Sequence, residues 1–321
     1  ECLFGFLKAS QSRQNNAPAN FLKWIDASFG KGISRHFMIP YNEKFWTVPL
    51  EEMTSAWTDN FIPVPKPSEV IEGFFRENKH RFGYNVCFWY PRQAGIGQLP
   101  QAFEQQLRHV SKNCRISAIN LQKKELQISG KGKVEFDTLI STMPLPELAK
   151  IIRPLPKSIL KMFKKLRWNS IFNLNLGLEG ICQEGKHWIY FPHKEAIFFR
   201  VGFFHNFSNN IVPAGKSAIY TEVAYSKNRP INKSKIVSKI INDLKACGIL
   251  GKENKIAALD INDIKYGYPI YDQDYFSATS AIKKFLLESK IITCGRYGSW
   301  QYMSMEDAIL DGKRAADKIK R

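Results

Sequence analysis

The stretch Ile291-Ile292-Thr293-Cys294-Gly295-Arg296-Tyr297-Gly298-Ser299-Trp300-Gln301-Tyr302-Met303-Ser304-Met305-Glu306-Asp307-Ala308 decides how the rest of the chain is read. An apolar strand, Lys290 to Thr293, runs straight into a glycine and a charged residue. A helix then opens at Ser304 and continues through Ala308, Leu310, Ala315, Ala316 and Ile319 to the end. Glycine lets backbone approach a ligand closely, and the free N–H groups of a helix's first turn favour phosphate or a polarised carbonyl. Ser304 suits an N-cap, with Asp307 three residues on in a box-like arrangement. From this stretch alone, an ordinary capped helix after a turn is an equal reading.

Working upstream, the alternation predicts strands at Arg115–Ile119 and Glu125–Ile128 and one buried strand over Val134–Thr142, separated by Lys- and Gly-rich turns. Met143-Pro144-Leu145-Pro146 ends the third, because proline removes a backbone donor. Before these, Leu99 to Val110 places Leu99, Ala102, Phe103, Leu107 and Val110 on one face of an amphipathic helix. Residues 17 to 30 carry Phe21, Leu22, Trp24, Ile25 and Phe29 at helical spacing until Gly30 and Gly32 interrupt, and a proline-punctuated stretch anchored by Trp46 and Trp57 follows. From 153 to 275 strands dominate, at Ile171–Leu178, Trp188–Phe191, Ile197–Phe203 and Ala218–Ala224, with one helix at Ile236–Cys247. No internal repeat or low-complexity segment occurs.

A chain of 321 residues with 44% hydrophobic residues can bury a sizeable core in two domains. The 47 Lys and Arg against 29 Asp and Glu give a net charge of +18, which suits nucleic acid, an anionic membrane surface or a phosphate-bearing small molecule. The densest basic cluster, Lys157 to Arg167, sets Lys161, Lys164 and Lys165 among Leu160, Phe163 and Leu166, as on a solvated helix face. The absence of an RNP-like run, zinc-finger spacing or recognition helix argues against nucleic acid. Cys2, Cys87, Cys114, Cys182, Cys247 and Cys294 lack metal or redox spacing, and no metal site is expected. They read as reduced, mostly buried thiols of a cytoplasmic protein. No apolar run approaches the roughly 20 residues of a transmembrane helix, so no integral membrane segment is expected. His187, His193 and His205 read as surface side chains.

The run from Gly295 to Met305 resembles the C-terminal flavin motif of the FAD-dependent amine oxidase-type flavoproteins, in the form found in UDP-galactopyranose mutases and protoporphyrinogen oxidase-like proteins. Three further segments match in the same order: Pro40-Tyr41-Asn42-Glu43-Lys44-Phe45-Trp46, Tyr90-Pro91 with Gly95-Ile96-Gly97, and Leu139-Ile140-Ser141-Thr142-Met143-Pro144. The resemblance implies an α/β fold, α+β overall: a Rossmann-like FAD-binding domain assembled from separated segments, and a mixed-sheet substrate domain with a helical cap. The implied division is a helical substrate or cap segment at 1–80, a FAD-binding segment at 81–152, the substrate domain at 153–275 and a C-terminal FAD-binding segment at 276–321.

By the same resemblance the cofactor is FAD. Ile116 would meet the adenine, Thr142 would pass near the flavin, and Gly295, Arg296, Ser304, Met305 and Glu306 would flank the flavin, its ribityl chain and its diphosphate. Arg200, within Phe198-Phe199-Arg200-Val201, is similar to an arginine that the mutases offer to a substrate diphosphate, so Arg200 and Arg296 are candidate phosphate clamps. Tyr268, in Tyr268-Pro269, and Trp300 and Tyr302 would meet the substrate, and Trp300 stands where the mutases carry tyrosine. Each residue also has a plainer reading, as core packing or a structural ion pair. No catalytic acid or base is identified.

The functions implied are a FAD-dependent oxidoreductase acting on a sugar or nucleotide sugar, a mutase-like isomerase in which reduced flavin acts at an anomeric carbon without net redox change, or an inactive partner-binding remnant. The partner expected is a small-molecule, phosphate-bearing substrate. No GxGxxG follows a strand anywhere in the chain. Together with the start at Glu1, this leads us to expect that a nucleotide-binding module precedes the sequence.

Overall fold

The computed structural model describes residues 1–12, 18–76, 87–183, 185–208 and 210–319. In chain order the elements are α1 (Cys2–Gln11), α2 (Phe21–Ile33), a π-helical turn (Ser34–Met38), α3 (Ile39–Trp46), α4 (Pro67–Phe75), α5 (Gln98–Gln106), β1 (Ile116–Asn120), β2 (Glu125–Ile128), β3 (Gly132–Glu135), β4 (Leu139–Ser141), α6 (Leu145–Ile151), β5 (Ile152–Arg153) and α7 (Lys157–Lys165). There follow β6 (Trp168–Glu179), β7 (Trp188–Tyr190), β8 (Arg200–Phe203), β9 (Lys216–Tyr225), α8 (Ile236–Ala246), β10 (Ile256–Pro269), α9 (Tyr275–Glu288), β11 (Ile291–Thr293), α10 (Gly295–Gly298) and α11 (Met305–Asp317). The chain divides into two compact units, Glu1–Gln105 with Asn169–Gly267 and Gln106–Trp168 with Tyr268–Arg321.

The first unit holds a five-stranded sheet in the order β10-β6-β9-β8-β7. β6 alternates: Phe172, Leu174, Leu176 and Leu178 all point into one core, which Val201, Phe203, Ile219 and Val223 join from β8 and β9. Ile236, Ile240 and Leu244, at four-residue spacing on α8, cover that face. The period of two on the strands and of four on the helix is what makes this interface form. α1 crosses α2 at very short range. A Cβ added at Gly30 would lie 2.1 Å from the Gly5 carbonyl oxygen, and one at Gly32 would lie 2.7 Å from Cys2 Cα. The expected interruption at Gly30 is therefore a kink at φ 71° within α2, kept by the closeness of the helix it packs on.

The second unit holds an antiparallel meander extended by a parallel strand, in the order β3-β2-β1-β5, and a parallel pair of β11 and β4. The single buried strand expected over Val134–Thr142 is in fact two. Val134 pairs with Leu126 in the meander and is 48% exposed, whereas Leu139 pairs with Ile291. The chain changes sheets between them, which a run of alternating residues does not reveal. The helix expected over Leu99–Val110 stops at Gln106, and Phe103, Leu107 and Val110 are all exposed. A short helix without a packed face has nothing to extend it.

Other expectations are corrected by burial. Only Cys182 and Cys294 are buried thiols; Cys2, Cys87 and Cys247 are exposed, Cys114 is intermediate, and all six are free. His193 lies at the surface, but His187 stacks on Phe207 at 5.3 Å and His205 is half-buried, with Nε2 2.6 Å from the Cys182 carbonyl. The expected segment boundary at residues 80 and 81 lies outside the described residues, as does the last turn expected for the terminal helix beyond Ile319. Among the described residues no helix is long and apolar enough to cross a membrane.

Candidate active site

The quoted stretch folds as strand, turn and helix in the second unit. β11 lies in register beside β4, with Ile291, Ile292 and Thr293 opposite Leu139, Ile140 and Ser141, and the Cys294 amide continues the ladder to the Ser141 carbonyl at 3.0 Å. Gly295 then takes φ +72°, and a Cβ there would meet nothing within 4 Å, so the turn opens on free space. Three residues on, the missing side chain has the opposite purpose: a Cβ at Gly298 would lie 2.5 Å from the Ser141 carbonyl oxygen and 3.1 Å from Thr142 Cα. The turn is pressed against the carboxyl end of β4.

Asp311, on α11, fixes that turn. Its Oδ2 accepts the Gly295 amide at 2.8 Å and the Ser299 hydroxyl at 2.9 Å, while Oδ1 takes Arg314 at 3.2 Å. Burial by itself would raise the carboxyl, but these bonds from Gly295, Ser299 and Arg314 outweigh it and hold Asp311 below the usual carboxylate range. Sequence reasoning missed Asp311. The available signal was an acid one helical turn beyond Asp307, on the same face of α11.

Arg296 is the charge the turn presents. Its guanidinium lies 4.6 Å from the ring of Tyr268 and 5.0 Å from the ring of Tyr302, and the two rings stack on each other at 5.6 Å and 21°. The two ring faces help to hold the guanidinium in one orientation, and its Nη1 is directed at the Met303 carbonyl at 3.5 Å. Behind it the Tyr302 amide donates to the Tyr271 hydroxyl at 2.9 Å, and the Tyr275 hydroxyl donates to the Trp300 carbonyl at 2.6 Å. Burial pushes Tyr271 up to about 12 and raises Tyr275 further, so both hydroxyls remain neutral donors and acceptors.

Tyr268, Arg296 and Tyr302, expected together, are thus together. Trp300, expected beside them, is buried: it is 2% exposed and its ring meets Trp168 edge-on at 5.9 Å. The bulk that distinguishes it from a tyrosine is absorbed by the core.

Ser304 caps α11 in full. Its hydroxyl accepts the Asp307 amide at 3.1 Å, and Asp307 Oδ2 takes the Ser304 amide at 2.8 Å. The cap leaves the first-turn amides of Met305 and Glu306 outside the intrahelical ladder, and both side chains are exposed. Thr142, just past β4, is exposed beside the same turn. Ile116, half-buried at the start of β1, belongs to the other sheet of the unit.

FAD, the cofactor the resemblance implies, can be tested against this geometry. The carboxyl ends of two parallel strands, open space beyond a left-handed glycine and the amide end of a thirteen-residue helix are what a ring edge with polarised carbonyls or a phosphate requires. The residues fit: Gly295, Ser304, Met305, Glu306 and Thr142 would hold that group through backbone and hydroxyl groups.

In the first unit Arg200 lies opposite Glu222 across β8 and β9, and its Nε is hydrogen-bonded to the Glu222 carboxylate. Both are half-buried or nearly so, and the guanidinium also lies 5.9 Å from the Phe199 ring. Next in register Gly202 leaves room for Tyr220, whose hydroxyl accepts from Trp188 Nε1 at 2.5 Å; burial pushes that phenol up to about 12. On α3, within the Pro40–Trp46 motif, Lys44 is 4% exposed and donates to the carbonyls of Phe191, His193 and Phe198 at 2.7, 2.6 and 2.9 Å. Burial lowers it to about 8.

The model of the family described as flavin containing amine oxidoreductase matches residues 9–320. A crystal structure of reduced UDP-galactopyranose mutase superposes with a TM-score of 0.91 at 25% identity, over 99% of this chain and 71% of that one. A putative protoporphyrinogen oxidase from Exiguobacterium sp. 255-15 shares the fold at a TM-score of 0.70 and 11% identity, over 98% of this chain and 70% of that one. A redesigned putrescine oxidase does so at 0.65 and 12%, over 100% and 74%.

Proposed function

The chain belongs to the flavin containing amine oxidoreductase family and its cofactor is FAD; from this premise we propose that it isomerises a nucleotide-linked sugar, as a UDP-galactopyranose mutase does, rather than oxidising an amine or a porphyrinogen. The observation that carries the reading is the closeness of the backbone to the mutase, a TM-score of 0.91 over 99% of the chain against 0.70 and 0.65 for the oxidases. The identity of 25% with the mutase is also twice that with those oxidases. Trp300, which departs from the tyrosine of the mutases and so counts against this reading, is buried against Trp168.

Bound FAD supplies a redox-active, nucleophilic ring. The chain's own residues do the rest. Gly295 gives the cofactor close access to backbone, and the first-turn amides of Met305 and Glu306 offer positive dipole ends to its oxygens. Arg296, pre-oriented between Tyr268 and Tyr302, binds a phosphate oxygen pair without having to be ordered on binding. The two rings wall that contact from water and strengthen it. Asp311 keeps the turn that carries Arg296 in place.

Titration of the FAD-loaded enzyme with UDP, followed by the flavin absorbance, tests this assignment. We expect saturable binding, and Arg296→Lys, which keeps the charge but loses the planar fork and the ring contacts, should weaken it by about tenfold or more at unchanged flavin content. UDP without effect on the flavin, with a primary amine bleaching it instead, would return the chain to the oxidases.

A further inference from the structure

The excess positive charge is concentrated. Residues 106–168 carry fourteen Lys and Arg against four Asp and Glu, over half of the chain's +18 in about a fifth of its length. The segment lies entirely in the second unit. Within it, α7 sorts its residues by face. Phe163 is buried, and Leu166, the residue that ends the helix, is buried with it. Lys157, Lys161 and Lys164, spaced four and three apart, fall on the opposite, exposed stripe. Lys165 is paired with Asp274 at 2.7 Å, whereas Lys157, Lys161 and Lys164 make no ion pair among the described residues. Leu160, 37% exposed, flanks the stripe.

A second group of cations adjoins the start of α7 along the chain. In the parallel pairing of β1 with β5, Asn120 stands opposite Arg153, and the Leu121 amide donates to the Arg153 carbonyl at 2.8 Å. The β1–β2 turn that follows carries Lys123 and Lys124, both exposed, and Arg153 precedes Lys157 by four residues. A sheet corner and a helix face that follow each other along the chain thus each expose cations.

We propose that the exposed lysine stripe of α7, with the cations of the β1–β2 turn and β5 in support, docks the protein on an anionic phospholipid surface. Five of the six cations are lysines, the compact point charges that hold a diffuse layer of lipid headgroups. Arginine, which reads nucleic acid phosphates bidentately, contributes one, and its Nη1 is turned to the Ile152 carbonyl at 2.5 Å. No aromatic ring lies in the stripe to stack on a base, and Leu160 among lysines is the pattern of a helix that rests at an interface while its lysines reach the headgroups. Among the described residues no helix is suited to crossing the bilayer, so the contact is peripheral and salt-sensitive.

Cosedimentation of the whole chain with vesicles tests it, using phosphatidylcholine alone or with a third phosphatidylglycerol. Binding should require phosphatidylglycerol and be lost at high salt. The Lys157→Gln, Lys161→Gln, Lys164→Gln triple variant should bind about 100-fold more weakly, from roughly fivefold per lysine. Glutamine keeps the helix, and the Lys123→Gln, Lys124→Gln pair, which leaves α7 intact, should lose about 25-fold by the same scale. Equal binding of wild type and both variants, binding to phosphatidylcholine alone, or capture by duplex DNA without capture by vesicles would each overturn the proposal.

Discussion

At the scale of single residues, a buried lysine and a half-buried aspartate do the fixing, and both make predictions. Lys44 offers three N–H donors to three carbonyls that have been taken out of water. Lys44→Met should cost about 2 kcal/mol or more, because buried acceptors lose their donor. The pH dependence has a definite sign. Between about 8 and the ordinary 10.5, the folded chain has released a proton that the unfolded chain still holds, so this residue makes stability rise with pH across that window and leaves it flat below. Urea unfolding of wild type and variant at pH 7 and 9.5 should show the rise in wild type alone; parallel behaviour would contradict it. Asp311 works the other way. Its carboxyl is held below the usual range, so its contribution is complete above the unfolded value and is lost as pH falls through the folded one. Asp311→Asn should therefore lose less stability than wild type between pH 5 and 2 in acid-unfolding curves. Of the two, only Lys44 stood in a segment the sequence singled out, and there as part of a motif. Which acid meets which amide depends on chain reversals that local spacing does not encode.

At the scale of elements, the turn between β11 and α11 was legible because its determinants are local: an apolar strand, a glycine, and a Ser304–Asp307 cap that forms as the spacing predicts. Resemblance assigned Tyr268 and Tyr302 to one site, but their stacking went unread, since thirty-three residues separate them. β10 went unread because Ile256 to Lys265 are exposed along the whole run, so no buried face imprints an alternation. α9 was overlooked within a stretch mixing tyrosines, small residues and lysines. Glycine gives this scale its sharpest test. Gly298→Ala must push the turn off the Ser141 carbonyl and should cost about 1–3 kcal/mol and weaken FAD binding. Gly312→Ala, in the same region but inside α11 with nothing within 4 Å, should stabilise by about 0.5–1 kcal/mol. Thermal melts of the two variants that failed to move in opposite directions would show that the close approach of turn and strand is wrong.

At the scale of the molecule, the α/β architecture and the flavin cofactor follow from four short motifs in one order, and the family match over residues 9–320 bears out both. Sequence did not separate an oxidase from an isomerase, because both use the same cofactor turn and differ in where electrons end. The most direct measurement counts those electrons. With FAD-loaded enzyme and UDP-linked hexose under anaerobic conditions, pyranose and furanose forms can be resolved by chromatography while an added electron acceptor is monitored. The account predicts interconversion only after the flavin has been reduced, with no acceptor consumed per turnover. Product formation by oxidised flavin, with one two-electron equivalent of acceptor consumed each time, would contradict it.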